Sequence, residues 1–124
     1  MDVDHFKDFN NTYSYAVGDR ALRHVADTLR ASLREVDIIA RYGGDEFVVF
    51  LPQTPLNEAK GIAERIQRQL AQNPLEVRQG SLPVNVTIGI YDLSQKDVNL
   101  LSVLETAGKI MRQAKENYSG IASL

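Results

Sequence analysis

Val36-Asp37-Ile38-Ile39-Ala40-Arg41-Tyr42-Gly43-Gly44-Asp45-Glu46-Phe47-Val48-Val49-Phe50-Leu51 is the stretch that decides the fold. Two runs rich in β-branched and aromatic residues, Val36 to Ala40 and Phe47 to Leu51, flank a polar turn with two glycines, which reads as a β-hairpin. The glycines are expected to supply turn conformations that a Cβ would oppose, and to let a ligand approach the main chain. Asp45 and Glu46 then stand at the hairpin tip, held by strand pairing. Alone, a Gly-Gly-Asp turn is more often a solubilising acidic turn than a site. The weight therefore falls on the rest of the chain.

Upstream, Met1 to Asp4 reads as the tail of a strand, and His5 to Tyr13 as a short helix with Phe6 and Phe9 on one face. Gly18-Asp19 precedes a longer helix from about Arg20 to Arg34, whose Leu22, Val25, Ala26, Leu29 and Leu33 recur at helical spacing. Downstream, Thr54 is expected to cap a helix with Pro55 at its first position. Its apolar face is Leu56, Ala59, Ile62, Ala63, Ile66 and Leu70, and Asn73-Pro74 ends it. Leu75 to Tyr91 holds two strand-like pieces around Gln79-Gly80, the second being Val84 to Ile90. A last helix spans about Asn99 to Asn117, and Ile121 to Leu124 closes as a strand. The order is β-α-α-β-β-α-β-α-β. The economical arrangement is α+β: a mostly antiparallel sheet with helices packed over it, of split βαβ ferredoxin-like type. No internal repeat or linker divides residues 1–124, which read as a single domain.

Bulk properties narrow the function classes. The 124 residues suffice for one core, and 44% hydrophobic with 24% charged residues is ordinary for a globular protein. A formal net charge of −2 gives no basic field for nucleic acid. The absence of cysteine excludes disulfides, thiol catalysis and cysteine-type zinc sites, and fits a cytoplasmic setting. No apolar run reaches the roughly 20 residues that span a bilayer, so membrane contact is not expected of this domain.

Three polar groups would converge if the first strand paired beside the hairpin. Asp2 and Asp4 end that strand, and Asp45 and Glu46 sit at the tip. Two bare carboxylates about 4 Å apart repel by roughly 1 kcal/mol in water and about 4 kcal/mol at an effective dielectric near 20. A hard divalent cation relieves that repulsion, and Mg²⁺ is typically held by one or two carboxylates plus substrate phosphates. Lys7 and Lys115 bring positive charge suited to phosphates. Asn10 and Asp19 offer the donors and acceptors that a purine edge requires.

These residues resemble, block by block, the GGDEF domain, the catalytic module of bacterial diguanylate cyclases. The blocks are Asp2-Val3-Asp4-His5-Phe6-Lys7 with Asn10, Gly18-Asp19, Arg34 to Asp37, Arg41 to Phe47, the Val86-Thr87 strand and Ala114-Lys115. The resemblance implies a nucleotidyl-cyclase-like GGDEF fold. It also implies condensation of two GTP into cyclic di-GMP with release of pyrophosphate, in a homodimer carrying one GTP per subunit, assisted by Mg²⁺ or Mn²⁺. Carried over, it makes Asp2, Asp45 and the Val3 carbonyl metal ligands. Glu46 would assist the metals or the 3′-hydroxyl. Asn10 and Asp19 would read guanine, Lys7 and Lys115 would contact the triphosphate, and Gly43 and Gly44 would let the nucleotide lie against the hairpin. Asp45, Glu46 and Lys115 form the catalytic set. Arg34 and Asp37 match the RxxD pair through which family members bind their own product for inhibition. A sensory or regulatory domain outside this chain is the implied partner, including one attached to a membrane.

The pattern also departs from the family. Asn10-Asn11 and Ser14-Tyr15 replace Asn-Asp and Gly-His in the guanine-side loop, and Gly89 and Tyr91 stand where Ser and Gly are favoured. Ala107-Gly108 replaces Ala-Asp, Arg112 replaces a frequent Tyr, and Tyr118-Ser119-Gly120 stands in place of Gly-Arg-Asn, which removes a phosphate-contacting arginine. The N-terminal segment with its Asp-x-Leu-Thr-x-Leu signature is absent, so an N-terminally truncated fold is expected. The alternative function is a catalytically weakened domain that binds GTP or cyclic di-GMP as a regulatory module. His5 and His24 lack metal-ligand spacing, the four phenylalanines and Met111 read as core, and Lys60, Arg65 and Arg68 as a solvated helix face.

Overall fold

The computed structural model describes residues 1–93, 99–117 and 119–123. The elements are β1 (Asp2–Val3), α1 (Phe6–Thr12), α2 (Tyr15–Ser32), β2 (Ile38–Arg41), β3 (Phe47–Phe50), α3 (Leu56–Gln72), β4 (Leu75–Val77), β5 (Gly80–Leu82), β6 (Val86–Ile90), α4 (Leu100–Glu116) and β7 (Ile121–Ser123). The expected α+β architecture is present. Strand β6 lies between β1, antiparallel, and β7, parallel. The β2–β3 hairpin, paired from Ile38–Phe50 to Arg41–Phe47, joins the outer edge of β1 through an antiparallel bridge between Asp2 and Glu46. Main-chain bonds from Val3 to the Asp45 carbonyl (3.0 Å) and from Phe47 to the Met1 carbonyl (2.9 Å) close the seam.

Alternation along β1 and β6 sorts the two faces. Val3, Val86 and Ile88 point into the main core with Leu22, Val25 and Leu29 of α2, Ala63, Ile66 and Leu70 of α3, and Phe47. Asp2 pairs with Thr87, so both face the other way, where α4 covers the sheet. There Gly89 is a packing requirement: a Cβ would sit 2.7 Å from the Ala107 carbonyl oxygen and the Met111 nitrogen. Met111 and Ala114 are buried beneath the helix. Gln67 of α3 clasps the sheet, its amide donating to the Val86 and Gly120 carbonyls, each at 3.0 Å.

Several expectations need correction. Between Leu75 and Tyr91 the chain forms three strands rather than two, because Gly80 at φ 126° closes a tight β4–β5 hairpin paired from Leu75–Leu82 to Val77–Gly80. The long helix starts at Tyr15, capped by the Ser14 hydroxyl accepting from Val17 N–H at 3.2 Å, so Gly18-Asp19 lies inside it rather than before it. Pro55, not Thr54, is the N-cap of α3, because Thr54 Oγ1 is engaged by Arg34 and by the Pro52 carbonyl. Phe50 is 49% exposed and is not core. Arg65 is not merely solvated; its guanidinium donates to the Ser32 carbonyl at the end of α2. His24 holds the far end of α3, its Nε2 lying 2.6 Å from the Asn73 carbonyl. The expected strand end at Leu124 and the departure at Tyr118 lie outside the described residues.

Candidate functional site

Register brings the acidic groups together. The bridge between Asp2 and Glu46 sets their side chains on one face of the sheet, toward α4. The main chain of Asp45 is tied to Val3. From α4, Lys115 Nζ reaches Asp2 Oδ2 at 2.7 Å. The other oxygen of Asp2, Oδ1, is buried and has no hydrogen-bond partner. One turn of chain further on, Asp4 Oδ1 accepts from the Thr87 hydroxyl at 2.5 Å.

Burial pushes the Asp2 carboxyl above the usual carboxylate range. The Lys115 ammonium pulls it down, and the carboxylates of Asp45 and Asp4 push it further up. The side chain is thus short of positive charge even with Lys115 in place. That is the state of a carboxylate that a hard cation satisfies, and the orphaned Oδ1 is the atom it would take. Among the described residues no three His, Asp or Glu side chains converge as a metal-binding group. Asp2 and Asp45 interact electrostatically here; two carboxylates of this kind would suit an ion that keeps water or phosphate as its remaining ligands.

The tip loop runs from Tyr42 to Glu46 and closes by Tyr42 N–H donating to the Glu46 carbonyl at 2.9 Å. Neither Gly43 nor Gly44 has a positive φ, which corrects the expectation that the turn itself demands glycine. Their use is space. A Cβ at Gly44 would meet nothing within 4 Å, and one at Gly43 would only touch Glu46. Reading the sequence missed what shapes this loop: Arg41 folds over it, Nε donating to the Gly43 carbonyl at 3.2 Å and Nη2 to the Gly44 carbonyl at 2.8 Å. Its position beside the glycines was the one available signal.

Asn10, expected to read guanine, projects from α1 against α2, with Oδ1 buried and unpartnered. It fits there because residue 18 is glycine; a Cβ would lie 1.7 Å from Asn10 Oδ1. Asp19, the next residue along α2, is exposed, as is Lys7 on α1. No hydrogen bond or ion pair among the described residues joins Lys7, Asn10 or Asp19 to the carboxylate cluster.

Arg34 and Asp37 lie at the root of the hairpin, away from this group. Arg34 Nη2 donates to Asp37 Oδ1 at 2.9 Å, and to the Pro52 carbonyl (3.0 Å) and Thr54 Oγ1 (2.9 Å). Asp37 Oδ2 accepts from the Arg34 main chain at 2.7 Å and from Nε at 3.3 Å. The guanidinium hydrogen bond holds Asp37 below its ordinary value, and the carboxylate raises Arg34 in return.

No helix among the described residues is long and apolar enough to cross a membrane. The model of the diguanylate cyclase, GGDEF domain family matches residues 1–120. The chain is 33% identical over 117 residues to diguanylate cyclase A of Treponema denticola, covering 94% of this chain and 32% of that protein. It is 43% identical over 90 residues to the response regulator PleD of Caulobacter vibrioides, covering 73% of this chain and 20% of PleD. Among solved structures it resembles diguanylate cyclase SiaD of Pseudomonas aeruginosa in complex with its activator SiaC, at a TM-score of 0.90 and 30% identity over 99% of this chain and 47% of that one. The GGDEF domain of DgcB from Caulobacter crescentus, in complex with c-di-GMP, follows at 0.86 and 26% over 98% of this chain and 73% of that one. The chain therefore spans about a third or less of the length of these curated relatives. With the acidic bridge, the glycine tip and the α4 lysine arranged as described, the match over residues 1–120 makes this chain a member of the GGDEF domain family, that of the diguanylate cyclases.

Proposed function

We propose that this domain is a diguanylate cyclase module that condenses two GTP into cyclic di-GMP and releases two pyrophosphates, each subunit of a homodimer contributing one GTP. The observation that carries this reading is the buried, unpartnered Oδ1 of Asp2, fixed across the ladder from Glu46 and beside Asp45. Asp2, Asp45 and the Val3 carbonyl would hold Mg²⁺ or Mn²⁺. When bound, such an ion stabilises the attacking and leaving oxygens of an in-line displacement at phosphorus.

The chain's own residues do the rest. Asn10 and Asp19 orient guanine, the first with an amide oxygen that has no competing partner. Lys7 and Lys115 hold phosphate oxygens, Lys115 leaving Asp2 as nucleotide enters. Glu46 accepts the proton of the 3′-hydroxyl that attacks the α-phosphorus of the facing nucleotide. The space over Gly44 admits the nucleotide against the loop, and Arg41 keeps the loop from collapsing into it. Because each subunit supplies half of the product, an isolated subunit is inactive.

Product inhibition at Arg34 and Asp37 is part of the reading, with one condition set by the geometry. Asp37 is wholly shielded by its partners while Arg34 is 52% exposed, so cyclic di-GMP would engage the open side of the guanidinium, by phosphate contact or by stacking on guanine. A regulatory domain outside these residues would control pairing of the subunits. Incubation with GTP and Mg²⁺, followed by chromatography for cyclic di-GMP, is the direct test, with Asp45→Ala as control. Product in the parent and none in the variant supports the cyclase. Tight binding of GTP or cyclic di-GMP without product moves the domain to a regulatory binding module.

A further inference from the structure

A groove of about 460 Å³ runs between the hairpin tip and α4, with Tyr42 and Glu46 on one wall and Glu105, Gly108, Lys109 and Arg112 on the other. Lys109 and Arg112 have no ion-pair or hydrogen-bond partner among the described residues, unlike Lys115 on the same helix, which is paired to Asp2. Lys109, Arg112 and Lys115 recur every three residues, so they form a row along one side of α4 with about 4.5 Å of rise between neighbours. This row lies along the acidic seam of the sheet: Lys115 stands at Asp2, and Arg112 shares the groove with Glu46, the bridge partner of Asp2. The guanidinium lies beside Gly108, its Nη1 3.5 Å from where a Cβ there would be, an ordinary contact distance. A solvated helix face would explain two surface cations, but not their placement opposite Glu46 around a cavity.

We propose that Arg112, flanked by Lys109, binds the terminal phosphates of a metal-bound nucleoside triphosphate in this groove. The inference rests on the nucleotide site proposed above and adds to it the residues that grip the polyphosphate end. Arg112 lies about one turn before Lys115 and approaches the same seam. A planar guanidinium with its donors unspent suits an anion of this kind. The two glutamates in the groove make metal-free polyphosphate a poor ligand, so the divalent ion is required for entry.

The test is calorimetric titration of the parent, Arg112→Ala and Arg112→Lys with GTP and with GMP, each with Mg²⁺, alongside turnover assays. Because Arg112 is exposed, its truncation leaves the core intact, which circular dichroism checks. Arg112→Ala should weaken GTP by about tenfold to a hundredfold, the worth of one charge-assisted contact, leave GMP unchanged, and be partly restored in Arg112→Lys. Equal effects on GTP and GMP, or none on either, overturn the assignment. GTP binding that depends on Arg112 without any product would sustain it while removing the cyclase reading; product formation insensitive to Arg112 would do the reverse.

Discussion

Two ion pairs in this domain join a cation to an aspartate at nearly the same distance, Lys115 to Asp2 at 2.7 Å and Arg34 to Asp37 at 2.9 Å. Their carboxylates shift in opposite directions. Asp37 receives three donors from Arg34, main chain and side chain together, and is held below its ordinary value. Asp2 receives Lys115 on one oxygen, nothing on the other, and two carboxylates nearby, and is pushed above it. Distance does not separate a structural pair from a site; completeness of the remaining donors does. The first pair ties the end of α2 to the hairpin root and to the loop before α3 through Pro52 and Thr54. The second leaves one carboxylate oxygen buried and without a partner, which is where the proposed function places the metal and its nucleotide.

Removing each charge should break this contrast in a readable way. Asp2→Asn should abolish turnover, by well over the roughly 10–100-fold that loss of a group merely supporting a metal ligand costs. Yet its metal-free melting temperature should be no lower than the parent's, because the substitution removes a buried charge that folding disfavours. A clear fall in that melting temperature would show that the Asp2–Lys115 pair stabilises the fold. Gly18→Ala comes next: the new Cβ collides with Asn10 Oδ1 and should cost about 1–3 kcal/mol as overpacking, read by denaturant titration. It should also weaken GTP against ATP selectivity; unchanged selectivity would take Asn10 out of base recognition. Arg34→Ala should lower the melting temperature modestly and leave the initial rate unaltered, since it unties the hairpin root and not its tip.

The smallest effect is one of pH. The Arg34 hydrogen bond holds the Asp37 carboxyl below its ordinary value in the fold. Its pair with Arg34 therefore adds stability that is present above that value and is lost as pH falls through the lowered folded value. Asp37→Asn should reduce stability at neutral pH and flatten the decline on acidification, as followed by thermal melts across the acid range. An acid decline as steep as the parent's would assign it to other carboxylates.

The hairpin, the helical faces of α2 and α3 and the acidic tip were legible because their signals are local: alternation, helical spacing and a contiguous motif. What failed was decided by the main chain, whether near in sequence or far. The β4–β5 hairpin depends on Gly80 at positive φ, and Gly80 to Leu82 is too short a run to mark a strand of its own between Gln79-Gly80 and Val84. Arg41, Arg65 and His24 all act on carbonyl oxygens, which every residue carries, so no partner residue marks them in the sequence. Thr54 looked like a cap because Thr-Pro usually is one; Arg34, eighteen residues from Pro52 and twenty from Thr54, claimed it. The pairing of Asp2 with Glu46 was readable only as a condition, since register between distant strands leaves no mark in either.

That register has a consequence for how the domain tolerates change. The separation of the two acidic segments is a lattice constant of the sheet, about 4.5–5.5 Å between opposed Cα atoms, and not an outcome of side-chain rotamers. Substitutions around the tip leave the gauge untouched. A one-residue slip of the hairpin against β1 would put Asp2 and Glu46 on opposite faces. The gauge between the two acidic segments is thus set by pairing register, whatever rotamers their side chains adopt.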